Sequence, residues 1–135
     1  RSITKVKFDV EGTPITVLQT HMGLAIAESK NATLEIIKIL DNTDGPVILM
    51  GDFNIRPSNP LIDLLRERLF DTALIREDYF KTFPSYKLNY VDCKIDYIFV
   101  TEEWKNRVAN ACTWTDEYSG TYLSDHYPVC AEFDL

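Results

Sequence analysis

No stretch of the 135 residues approaches the run of about 20 apolar side chains that a bilayer-crossing helix needs. The opening RSITKVKFDV also lacks the apolar segment of a secretory signal. Cysteine is scarce. Cys93, Cys112 and Cys130 are odd in number and far apart, which excludes a complete disulfide framework and a zinc-type CxxC pair and leaves three ordinary thiols. Basic residues are thin as well, 14 against 21 acidic, for a net charge of −7. That balance excludes a surface built to hold long polyanions by bulk electrostatics, and Lys and Arg form no cluster. With no internal repeat, low-complexity tract or linker, the length and the 45% hydrophobic content read as one globular domain with a real core.

What is present is an ordered set of short apolar segments. ITKVKFDVEGTPITVLQTHM alternates apolar and polar residues on either side of EGTP, which predicts two strands joined by a tight turn and puts His21 at or just past a strand end. From Ala25 onward Ala27, Leu34, Ile37 and Leu40 fall near helical spacing, and DNTDGP supplies the stop, so an amphipathic helix is expected. PVILM has the pattern of a strand covered on both faces, ended by Gly51. NPLIDLLRERL is expected to form a short helix from near Pro60, with Leu61, Leu64, Leu65 and Leu69 on one face. FDTALIREDYFKTFPSYKLNYVDC has no sustained period and reads as a long surface loop with a helical turn. IDYIFV is a second buried strand, EEWKNRVANACTWTD holds a turn and an edge strand, and SDHYPVCAEFDL ends in a strand with Val129, Ala131 and Phe133 on one face. The order implies mixed sheet layers with helices packed outside, an α/β (α+β) class.

Four of these strands begin or end in reactive residue types: His21, Asp52 with Asn54, Asp96, and Asp125 with His126. Ligands gather at strand ends in layered folds, and a carboxylate buried there is costly unless it binds a cation or accepts hydrogen bonds. An extended backbone from Asp52 to Asn54 would aim both side chains the same way, one as acceptor and base, the other as donor. Phe53 would then turn into the core, with Pro57 stiffening the loop. Asp125 and His126 pair a hard oxygen ligand with an imidazole able to contact phosphate. Asp96 is a candidate to orient that imidazole through its other ring nitrogen. Taken singly each residue has an ordinary alternative: Asp52 as a turn former, His21 at a strand end, Asp96 before a strand, Tyr97 and Phe99 as core, Asp125 and His126 as a solvated loop. Those alternatives do not account for all of them together, each beside an apolar strand.

GDFNIRP, KIDYIFV and LSDHYPV resemble the signature blocks of the endonuclease/exonuclease/phosphatase superfamily, the metal-dependent phosphodiesterases related to pancreatic deoxyribonuclease. QTHMGL and TFPS look like its intermediate blocks, so the likeness runs from about Val6 to Leu135. The resemblance implies part of a deoxyribonuclease-like four-layer β-sandwich. It also implies that residues 1–135 are the C-terminal portion of one such domain, since family members carry an earlier half of the sandwich with an asparagine and a glutamate of the metal site. Glu11, in the expected hairpin turn, is not placed for that role. By the same resemblance Asp52 looks like the carboxylate that activates or positions the attacking water, and Asn54 like its partner on the scissile phosphate. Asp125 resembles the metal-ligand aspartate. His126 looks like the imidazole that contacts the phosphate or acts as base, Asp96 like the residue orienting it, and His21 like the second, charge-stabilising histidine.

The implied reaction is hydrolysis of a phosphate ester by in-line attack of water, with Mg²⁺ or Mn²⁺ favoured over zinc by oxygen ligands and few available nitrogens. An acidic protein needs such an ion to offset its own carboxylates and the substrate phosphate. Nucleic acid, a small phosphodiester, a phospholipid and a sugar phosphate all stand as substrates at this point, and oligomeric state is open. DCKIDYIF departs from the tryptophan, cysteine, aspartate, arginine run of the inositol polyphosphate phosphatases, and the net charge disfavours tight binding of duplex DNA. The alternative is a catalytically inactive scaffold domain of the same shape.

Overall fold

Two sheets carry the architecture of the computed structural model, which describes residues 1–76, 81–86, 93–115 and 121–134. Strands β1 (Ile3–Val10) and β2 (Thr13–His21) form an antiparallel hairpin. Its turn residues Glu11 and Gly12 sit at φ 52° and 84°, the left-handed pair that matches strand twist in a two-residue turn. Helix α1 (Ile26–Asp41) brings the chain back so that β3 (Val47–Asp52) lies parallel to β2. Helix α2 (Pro60–Arg66), capped by the Asn59 side chain, leads into β4 (Leu69–Asp71) and a 3-10 helix (Thr72–Ile75). Strand β5 (Asp96–Thr101) then inserts between β3 and β4, antiparallel to both. A second 3-10 helix (Glu102–Arg107) precedes β6 (Val108–Thr113), which pairs with β7 (Val129–Phe133) as a separate two-stranded sheet. The larger sheet runs β1-β2-β3-β5-β4. This is the mixed α+β class expected of the sequence.

Alternation along β3 divides the core. Val47 and Leu49 face the helices, buried with Leu18, Ile36, Ile62 and Leu65. Phe53, Tyr97 and Phe99 interlock there, with Phe53 edge-on to Tyr97 at 5.3 Å and to Phe99 at 5.6 Å. On the other side Ile15, Val100 and Trp104 pack with Ile48 and Phe133, where the two-stranded sheet lies over the larger one. That cover is partial: Val6 and Phe8, in register with Val17 and Ile15, are 41% and 52% exposed.

Several local expectations are corrected. Strand β3 is fully covered on one face only, since Met50 is exposed. The buried stripe of α1 is Ser29, Thr33 and Ile36, whereas Ala27 and Leu34 face solvent. The two hydroxyls can be buried because each donates to a backbone carbonyl, Ser29 to Gly23 and Thr33 to Ser29. Leu69 belongs to β4 rather than to the face of α2. The segment read as a surface loop contributes β4 and buries Asp71, Thr72, Thr82, Ser85 and Cys93. Its residues 77–80 and 87–92 lie outside the described residues.

Candidate active site

Three strand ends place three reactive side chains in one row. His21 is the register partner of Asp52 across β2 and β3, and Asp52 is the partner of Asp96 across β3 and β5. Register partners share a face and adjacent strands lie about 4.8 Å apart. His21 Nε2 accordingly stands 3.3 Å from Asp52 Oδ2. The row closes when the loop before β7 returns His126 to Asp96, Nδ1 to Oδ2 at 2.9 Å. His21 is exposed, while Asp52, Asp96 and His126 are half-buried.

Backbone contacts fix the row. The Met22 N–H donates to the Asp52 carbonyl at 2.8 Å and the Phe53 N–H to the Ile95 carbonyl at 2.9 Å, tying the ends of β2, β3 and β5 together. Gly51 permits the approach: at φ 144° it lies where a Cβ would fall 1.8 Å from the Thr20 carbonyl oxygen. The chain does not stay extended past Asp52. Asn54 adopts φ 55°, its N–H donates to Asp52 Oδ1 at 2.8 Å, and its side-chain amide donates to the Met22 carbonyl at 2.9 Å. Asn54 thus braces Asp52 and the β2 loop at once, a turn that asparagine tolerates better than most residues.

Electrostatics separate the two carboxylates. Burial pushes Asp96 above the usual carboxylate range, hydrogen bonds from Thr82 and His126 oppose the shift, and the charge of Asp52 adds to it. Asp52, Asp96 and His126 form, among the described residues, a group whose ligand atoms all lie within 4.8 Å of one another. They share a cleft of about 400 Å³ with Met50, Ser124 and Tyr127. Two carboxylate oxygens and one imidazole nitrogen make a donor set able to hold a divalent ion. Asp125 stands outside this group: it is exposed, and its carbonyl accepts the Ser85 N–H at 2.8 Å.

Sequence reasoning left unassigned the residues that hold the row in place. The TFPS block supplies Thr82, whose Oγ1 accepts the N–H groups of Ile95 and Asp96, and Phe83, whose ring centre lies 4.9 Å from that of His126. Beneath it Asp71, 1% exposed, receives Lys94 Nζ at 2.8 Å on both oxygens and Arg66 at 3.2 Å. An isolated polar residue in a segment without period carries no local signal of such a role.

The sequence model of the Endonuclease/Exonuclease/phosphatase family matches residues 7–126, and the chain belongs to that family. Among solved structures, an endonuclease/exonuclease/phosphatase family protein from Leptotrichia buccalis is 26% identical with a TM-score of 0.78, covering 98% of this chain and 54% of its own. A mannosyl-6-phosphatase from Bacteroides thetaiotaomicron is similar in fold at 22% identity and a TM-score of 0.77, covering 92% of this chain and 52% of its own. An AP endonuclease from Archaeoglobus fulgidus, 16% identical with a TM-score of 0.73, covers 97% of this chain and 65% of its own. The chain therefore spans about half the length of the first two structures. No curated protein sequence matches it.

Proposed function

We propose that this chain is the C-terminal portion of a metal-dependent hydrolase of phosphate esters, and that water attacks phosphorus over the row His21, Asp52, Asp96, His126. The observation that carries the reading is a chain of side-chain contacts from four separate segments, His21 to Asp52 and Asp96 to His126, with Asp52, Asp96 and His126 on one cleft. An ionised Asp96 accepts from Nδ1–H of His126, which leaves Nε2 of that ring free to take a proton or to contact a phosphate oxygen. Asp52 is the acceptor for the attacking water, and His21 beside it offers positive charge to the phosphate when protonated. Asn54 keeps a second amide N–H for the phosphate while the first holds Met22.

Mg²⁺ or Mn²⁺ is proposed at the carboxylates of Asp52 and Asp96, beside His126, with Asp125, exposed and outside that group, proposed as a further oxygen ligand by its resemblance to the family's metal-ligand aspartate. Bound there, the ion would supply charge neutralisation and Lewis-acid polarisation of phosphate oxygen. Phosphate-ester substrates are proposed at the level of class. The fold is shared with proteins named as a mannosyl-6-phosphatase and an AP endonuclease, so sugar phosphate and nucleic acid both remain candidate substrates.

In the domain that contains this chain, Asp52→Ala and His126→Ala should each lower Mn²⁺-supported hydrolysis of bis-p-nitrophenyl phosphate by about 100-fold or more. Turnover near that of the parent in either variant would remove the assignment. A silent scaffold of the same fold is the second reading, favoured by Asp125 standing exposed and outside the Asp52, Asp96 and His126 group. Calorimetry with Mn²⁺ separates the two, since a scaffold takes up no ion at Asp52 and Asp96.

A further inference from the structure

Thr82 is fully buried, and its polar atoms are engaged with the residues that build the cleft. Oγ1 accepts the Ile95 N–H at 2.9 Å and the Asp96 N–H at 3.2 Å. The Thr82 carbonyl accepts the Tyr127 N–H at 2.8 Å, and its own N–H donates to the Cys93 carbonyl at 3.0 Å. One residue thus grips both the start of β5 and the loop that carries His126. Ser85 repeats the grip from the other end of the block. Its N–H donates to the Asp125 carbonyl at 2.8 Å, its hydroxyl donates to the Ser124 carbonyl, and its carbonyl accepts the Tyr127 hydroxyl.

The hydrogen bond between Asp96 and His126 joins two segments 30 positions apart in the chain. Its geometry lasts only while both backbones are fixed relative to each other, and side-chain constellations of this kind drift when their supports are loose. Phe83 adds a ring beside that of His126, the centres 4.9 Å apart and the planes tilted by 48°.

We propose that Thr82–Ser85 is a clasp that positions the Asp96–His126 pair, with Thr82 as its positioning residue. The hydroxyl of Thr82 sets the Asp96 end, its carbonyl sets the 124–127 loop, and together they hold His126 with Nδ1–H on Asp96 and Nε2 toward the cleft. The inference rests on reading that pair as the acid–base element of the site. The role belongs to the hydroxyl, not to side-chain volume, so serine preserves it and valine removes it.

Proton NMR of the metal-free domain that contains this chain tests this without any turnover. The Nδ1–H of His126, hydrogen-bonded to a carboxylate, should give a downfield, slowly exchanging signal in the parent and in Thr82→Ser. In Thr82→Val that signal should disappear or exchange about tenfold faster while the amide spectrum stays folded. A Thr82→Val chain with parental exchange, or a Thr82→Ser chain that loses the signal equally, overturns the proposal. If Thr82→Val does not fold, Ser85→Ala carries the test from the other end: the same loss supports the clasp and an unchanged signal overturns it. Failure of the hydrolytic reading would show instead in the Asp52 and His126 assays, which this measurement does not touch.

Discussion

Asp96 illustrates a tension that a single residue can hold. Burial raises its proton affinity, so keeping it ionised costs folding free energy. The sign follows directly. Its contribution to stability is greatest when both folded and unfolded chains are protonated, and it falls as pH rises from the ordinary 3.8 toward the raised folded value. Asp96→Asn should therefore flatten the pH dependence of chemical denaturation over that window and leave the chain no less stable at neutral pH. A variant that becomes more sensitive to pH would contradict this. Gly51 has the opposite character. Gly51→Ala forces a Cβ against the Thr20 carbonyl and should cost more than about 1 kcal/mol, read as a lowered urea midpoint. The aspartates and histidines were legible because each flanks an apolar strand. Asn54 was legible as a residue but not in its posture, since a left-handed turn after Asp52 depends on the Met22 carbonyl, 32 positions away.

At the level of elements, periodicity reveals α1 and the strands other than β4, and of the expected helix stripe Ile37 and Leu40 pack on the core while Ala27 and Leu34 do not. Hydrophobicity alone cannot see that Ser29 and Thr33 satisfy their hydroxyls on backbone carbonyls and can therefore face the core. The segment after α2 was harder still. Its short strand β4 and the buried pair of Asp71 and Lys94 depend on β5, which comes later in the chain. Lys94 lies over the Tyr97 ring at 4.5 Å, and the Tyr97 hydroxyl donates to the Ile55 carbonyl at 2.9 Å. The charge pair thus braces the floor under the row. Lys94→Met leaves the buried Asp71 with Arg66 and the Ala73 N–H as its partners among the described residues, and a loss of about 3 kcal/mol is expected in denaturant unfolding. Asp71→Asn in the same background should recover part of it.

Across the whole molecule, the row lies at one end of the larger sheet's central strands, where the parallel β2–β3 pair and the antiparallel β5 present their ends together. The class was readable from the order of elements, and the family from blocks such as GDFN and SDH. The incomplete cover over Val6 and Phe8 was not, because alternation predicts which face is apolar and not what lies against it. No helix of the described residues is long and apolar enough to cross a membrane. If the row binds a divalent ion, Mn²⁺ at 100 times its dissociation constant should stabilise the chain by about 2.7 kcal/mol. Asp52→Asn should abolish that gain in a thermal melt.

The chain has only two histidines, His21 and His126, and they come from opposite ends of the sequence. Proton NMR of their ring resonances under substoichiometric Mn²⁺ therefore tests the shared site directly. Both rings should broaden together in the parent and neither in Asp52→Asn. Broadening of one ring without the other, or equal broadening in the variant, would contradict a single site assembled from His21, Asp52, Asp96 and His126.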